Sequence, residues 1–107
     1  IPVPEHVFEL AVDLVRRTRP GTKDAPKWLK QSVQWGAGPR AIQFLIRGAK
    51  AHALISGNFI TTTDDLEAVA EPVLYHRIIT NFHARSEGIT SSEVIRRLLE
   101  EARQEER

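Results

Sequence analysis

The sequence predicts an all-α domain, a bundle of four to five helices with no substantial sheet. Three observations carry that prediction. Apolar residues recur at three- and four-residue spacing over long segments, proline and glycine separate those segments, and no alternating strand pattern persists beyond a few residues. Helices with one apolar stripe each are stable when the stripes face one another around a single core.

The first helix runs from about Pro4 to Thr18. Val7, Leu10, Ala11, Leu14 and Val15 form its apolar side, and Glu9, Asp13, Arg16 and Arg17 the other. Pro4 suits a first helical turn, and Pro20-Gly21 ends the helix. Residues 20–27 read as a polar loop, and residues 26–34 as a short helix with Trp28, Leu29 and Val33 facing inward. Gly36-Ala37-Gly38-Pro39 breaks the chain. A second long helix then runs from Pro39 to about Ile55 with Ile42, Leu45, Ile46, Ala49 and Ala53 as its stripe, stopped by Ser56-Gly57-Asn58. Phe59-Ile60-Thr61 reads as a brief extended piece. Thr62 with Asp65 forms a capping box, Asp replacing the usual Glu, and opens a helix carrying Leu66, Val69 and Ala70. Pro72 should interrupt that helix, leaving Val73 to Ile79 kinked or separate. Asn81 to Gly88 reads as a second polar loop. Thr90 and Glu93 form another capping box, before a last helix with Val94, Ile95, Leu98, Leu99 and Ala102 on one face.

Composition narrows the function. With 107 residues, 41% hydrophobic and 27% charged, the chain is a single ordinary domain and not a disordered one. Its net charge of +1 argues against nucleic acid as a partner, and no apolar run is long enough to span a bilayer. Zero cysteines exclude disulfides and thiolate sites and fit a reducing, cytoplasmic setting. No methionine is present and the chain opens Ile-Pro-Val-Pro, so residues 1–107 read as one helical domain cut from a longer protein.

Recognisable catalytic machinery is absent. There is no Gly-rich Lys-Ser/Thr loop for a triphosphate, no dinucleotide fingerprint and no nucleophile with a spaced base. His6, His52, His76 and His83 lack metal-ligand spacing, so no metal site is assigned. One stretch stands out. Pro39 places Arg40 in the first turn of a helix, where the dipole is already positive and a cation costs about 0.3–1 kcal/mol when exposed. Gly36 and Gly38 supply no side chain to satisfy nearby amides. Open amides beside a guanidinium suit a phosphate group, although a Gly-Pro turn followed by a surface arginine is also a common connection.

The segment Trp35-Gly36-Ala37-Gly38-Pro39-Arg40-Ala41 resembles the sensor-2 motif of MoxR-type AAA+ ATPases, which often read Gly-Ala-Ser/Gly-Pro-Arg-Ala at the start of a lid-domain helix. Thr18-Arg19-Pro20, Thr62 to Val69, and Val73-Leu74-Tyr75-His76-Arg77-Ile78 match in order, so the resemblance covers nearly the whole chain. It departs at Gly38, where many relatives carry a helix-capping Ser. The resemblance implies a C-terminal lid that covers ATP with Mg, most of which an upstream AAA+ core domain would bind. It implies a catalytic Arg40 and a nucleotide-contacting turn of Gly38, Pro39 and Arg40, serving its own subunit or a neighbour. It further implies a homo-oligomeric ring, a hexamer, that remodels or assembles an unidentified client protein, with metal insertion among the possibilities.

Other candidates are weaker. Arg77 could sit at a subunit or lid–core contact, or simply be solvated near a helix end. Trp28 and Trp35 read as core anchors. Arg96 and Arg97, offset by Glu93, Glu100 and Glu101, read as a solvated face, and Gln43 with Arg47 is thin support for a recognition helix. The competing reading is a helical protein-interaction module, for which the C-terminal helix is the one candidate stripe.

Overall fold

A computed structural model describes residues 1–105. Its helices are α1 (Glu5–Arg17), α2 (Lys27–Ser32), α3 (Arg40–Ile55), α4 (Thr63–Leu74), α5 (Phe82–Ser86) and α6 (Ser91–Glu105). Two short strands, β1 (Val33–Trp35) and β2 (Ile79–Thr80), pair antiparallel, and a 3₁₀ turn covers Tyr75–Arg77. The predicted all-helical bundle is the architecture found, with α1, α3, α4 and α6 as its frame.

The core follows from the stripes. Val7, Ala11, Leu14 and Val15 of α1 meet Ala41, Leu45 and Ala49 of α3, Leu66, Ala70 and Leu74 of α4, and Val94, Ile95, Leu98 and Ala102 of α6. Small residues let α3 and α4 approach closely: a Cβ built on Gly48 would lie 3.2 Å from a Val69 methyl. Ile42 and Ile46 sit at the edge of this core rather than in it.

Capping fixes the start of α4. The Asp65 amide donates to the Thr62 hydroxyl at 3.3 Å, and the Thr62 amide donates to the Asp65 carboxylate at 2.8 Å. The buried Asp65 also bonds His52 Nδ1 of α3 at 2.7 Å, so one carboxylate caps a helix and ties it to its neighbour. That hydrogen bond is the main reason the Asp65 carboxyl is held below the usual range, with Thr62 contributing and burial opposing. At α6 the Glu93 amide donates to the Thr90 hydroxyl at 3.2 Å. The return half of that box is different from expectation, since the Thr90 hydroxyl itself pairs with the Glu93 carboxylate at 3.2 Å.

Three expectations about local structure are corrected. Pro72 does not interrupt α4, which continues to Leu74. Proline and Ala68, whose carbonyl loses its donor, are both exposed, so water can satisfy that carbonyl while Ala70 and Leu74 stay anchored in the core. The segment after Asn81 is not all loop. Asn81 Oδ1 accepts from the Ala84 amide at 2.9 Å and opens α5. The residues after α2 are extended rather than helical, because Val33 and Trp35 pair with Thr80 and Ile79. A two-rung ladder between segments so far apart leaves no periodic trace in the sequence.

Candidate functional site

The turn that enters α3 is built against the end of α1. The buried Thr18 hydroxyl donates to Val15 O at 2.6 Å and accepts from the Ala37 amide at 3.0 Å. Gly36 lies directly on the Thr18 main chain, where an added Cβ would come within 2.2 Å of the carbonyl oxygen. Only glycine permits that approach. Ala37 is fully buried, so the turn is pinned at both residues before it reaches Gly38. Gly38 is different: a Cβ there meets nothing within 4 Å, so the turn has room for a side chain at that position.

Pro39 is exposed, with φ −59° and ψ −28°, and Arg40 is the first residue of the sixteen-residue α3. The amides of this end are largely used internally. Ala41 N–H donates to Gly38 O at 3.0 Å and Ile42 N–H to Pro39 O at 3.1 Å. Among the described residues the Gly38 and Arg40 amides have no partner, so the expected array of open amides shrinks to those two. The Arg40 side chain is exposed and, among the described residues, makes no ion pair or hydrogen bond. The fold thus presents a guanidinium at the positive end of a long helix, on a rigid turn, with no local partner to offset it.

Residues 27–98 match the AAA lid domain family. The chain belongs to that family. It is 32% identical over 80 residues to the Mycobacterium tuberculosis chaperone MoxR1, covering 75% of this chain and 20% of that protein. It is 28% identical over 95 residues to the Bacillus subtilis protein YeaC, covering 89% of this chain and 27% of YeaC. A crystal structure of a Cytophaga hutchinsonii protein, provisionally assigned as an ATPase, superposes with a TM-score of 0.87 at 30% identity. That match covers 94% of this chain and 30% of the Cytophaga chain. The chain is an AAA lid of the MoxR type, and it spans only about a quarter of the length of the curated relatives it matches.

The remaining candidates of the lid fall into place structurally. Trp28 ties α2 to α6: its indole N–H donates to Glu101 at 2.5 Å, and the Arg97 guanidinium stacks 4.2 Å from its ring centre. Arg97 is therefore a packing residue as well as a surface one. Trp35 is no core anchor, because it is 63% exposed on β1. Arg77 is half-buried, donates to Val73 O at 2.7 Å and lies 4.6 Å from the Phe44 ring centre. It closes the C-terminal end of α4 against α3. His76 packs on Tyr75 in the 3₁₀ turn while His83 sits on α5 beside Glu87, so they do not share one helical face. The apolar stripe of α6 is spent in the core, removing the candidate surface for an interaction module. No helix of the described residues is long and apolar enough to cross a membrane.

The pinning pair, Thr18 with Gly36, is not legible as a contact in the sequence. Gly36 has no positive φ and stands in a Gly-rich turn where either glycine could be the essential one. The sequence signal was the co-occurrence of Thr18-Arg19-Pro20 with the Gly-Ala-Gly-Pro-Arg segment, which the fold brings into contact.

Proposed function

We propose that this lid covers the nucleotide of a AAA+ ATPase and that Arg40 is its sensor-2 arginine, contacting the triphosphate from the start of α3. The observation that carries the reading is the unpartnered Arg40 on a turn locked to Thr18. A cation at a helix N-terminus is unfavourable for the fold, so an anionic partner from outside the domain would relieve it. Phosphoryl transfer is accelerated chiefly by fixed charge aimed at the transferring group, and a guanidinium on a rigid mount meets that need. The exposed Gly38-Pro39 edge would let the phosphate approach close to the backbone.

In this reading an upstream AAA+ core domain supplies the phosphate-binding loop and the magnesium ligands, and ATP with Mg binds mainly there. The assembled protein would be a homo-oligomeric ring, a hexamer, in which Arg40 acts within its own subunit or toward a neighbour. Hydrolysis would drive lid movement and, through it, chaperone-like remodelling or assembly of a client protein. The similarity to the chaperone MoxR1 supports that use.

The test is Arg40→Ala in the full-length protein. Hydrolysis should fall on the order of a hundredfold, as when one charge-assisted contact to a reacting group is lost. The lid's melting temperature should hold or rise slightly, because a cation leaves the positive end of a helix. Arg40→Lys should restore only part of the rate, since a point charge does not reproduce the planar fork. Full activity in Arg40→Ala would remove the assignment.

A further inference from the structure

Resting on the reading of Arg40 as a nucleotide contact, we infer that Thr18 is a positioning residue for that arginine, taking from the end of α1 the place of a helix cap for α3. α4 and α5 begin under the side chains of their own cap residues, Thr62 and Asn81. α3 does not, because its cap residue is Pro39 and no side chain bonds its first amides. A helix start without such a partner frays, and Arg40 is the first residue of this one.

Thr18 makes good that lack across 19 residues of sequence. Its hydroxyl donates to Val15 O at 2.6 Å and accepts from the Ala37 amide at 3.0 Å, so its proton is used and its orientation set. Thr18 is fully buried, and water does not compete for either bond. Its own amide is bonded to Leu14 O and Val15 O, and its main chain supports Gly36, so the anchor is itself fixed as the end of α1. On the other side of the turn, Ala41 is buried in the core. Gly38, Pro39 and Arg40, all exposed, are thus a short span clamped at Ala37 and at Ala41. The carbonyls that accept the first bonds of α3 lie in that span, Gly38 O from Ala41 and Pro39 O from Ile42. Releasing Ala37 leaves the span held at one end only, and those carbonyls drift together with the arginine they order. The remote anchor also spares the surface. A capping side chain at the turn would set an oxygen over the helix start, where it would repel a phosphate. With the turn held from inside the fold, the Gly38 and Arg40 amides stay without a partner among the described residues.

Kinetics of the full-length protein test this. Thr18→Val should lower kcat for ATP hydrolysis about tenfold or more, because a misplacement near 1 Å can cost about a hundredfold, while KM moves less than about threefold. Thr18→Ser keeps the hydroxyl and should stay within about twofold of the parent. In an Arg40→Ala background, Thr18→Val should change kcat less than about twofold, since it acts through the arginine. Asp65→Asn weakens the opposite end of α3, where the carboxylate bonds His52, and should leave kcat near that of the parent. The inference is overturned by an equal loss in Thr18→Ser, by an undiminished loss on top of Arg40→Ala, or by an equal loss in Asp65→Asn. Residue-resolved amide exchange of the unmodified protein tests it without any variant having to fold. The Ala37, Ala41 and Ile42 amides should share one level of protection, as a unit that opens together. An Ala37 amide protected about tenfold less than the other two would show that the first turn holds without Thr18. The two claims fail separately. If Arg40→Ala slows hydrolysis and Thr18→Val does not, the positioning role is wrong and the arginine assignment stands. If Arg40→Ala hydrolyses normally, the arginine assignment itself is wrong.

Discussion

Gly36 and Thr18 touch main chain to main chain, with so little space that a Cβ on Gly36 would sit 2.2 Å from the Thr18 carbonyl oxygen and 2.5 Å from its carbon. Neither atom can yield, because Thr18 closes α1 and its hydroxyl is bonded on both sides. Gly36→Ala should therefore cost at least about 2 kcal/mol, the scale of an overpacked rigid site. For a domain of this size the melting temperature should fall by more than about 10 °C. Gly38→Ala, in open space, should leave it almost unchanged. A calorimetric scan of both variants checks the pair, and equal effects would contradict the geometry.

The same junction responds to loss of one hydroxyl. Thr18→Val keeps the volume but orphans the Ala37 amide in a fully buried turn. The expected cost is about 1–3 kcal/mol, the penalty for a buried unsatisfied donor. Amide hydrogen exchange at Ala37 should accelerate more than exchange in α4, which the substitution does not touch.

Acid should loosen the α3–α4 contact through Asp65. Its carboxyl is held below the usual value of 3.8 by the His52 hydrogen bond foremost and by Thr62. A depressed carboxyl stabilises the fold above its unfolded pKa, and the stabilisation is lost as pH falls through the lower folded value. Asp65→Asn should thus be less stable than the parent by about 1–3 kcal/mol near neutrality. The gap should close only as pH falls below the usual 3.8 and through the lower folded value, where the parent's carboxyl protonates. Thermal melts from pH 7 to 2 test this, and a constant gap would show that Asp65 acts through shape alone.

Pro72 is tolerated rather than needed. It sits exposed in the last turn and a half of α4, where it removes one helical hydrogen bond. Pro72→Ala should raise stability by about 1 kcal/mol or more, toward the difference between the two residues in a helix interior. A lower melting temperature would mean that the proline shapes the 3₁₀ turn at Tyr75–Arg77.

The sequence by itself determined the four long helices and the class of the domain. Each is encoded locally: a stripe at helical spacing, a stop such as Pro20-Gly21 or Gly57, and a cap such as Thr62 with Asp65, whose partners are three residues apart. The position of Arg40 at the start of α3 was legible for the same reason, since Pro39 marks that start. Tertiary structure alone decided the rest. It made Trp35 a strand residue facing solvent, because its partner Ile79 lies far along the chain. It let α4 run through Pro72, because core burial of Ala70 and Leu74 outweighs one missing bond whose carbonyl faces water. And it selected Gly36 over Gly38 as the essential glycine, because only Gly36 meets Thr18, and a contact between such distant residues has no period or spacing by which one strand of sequence could announce it.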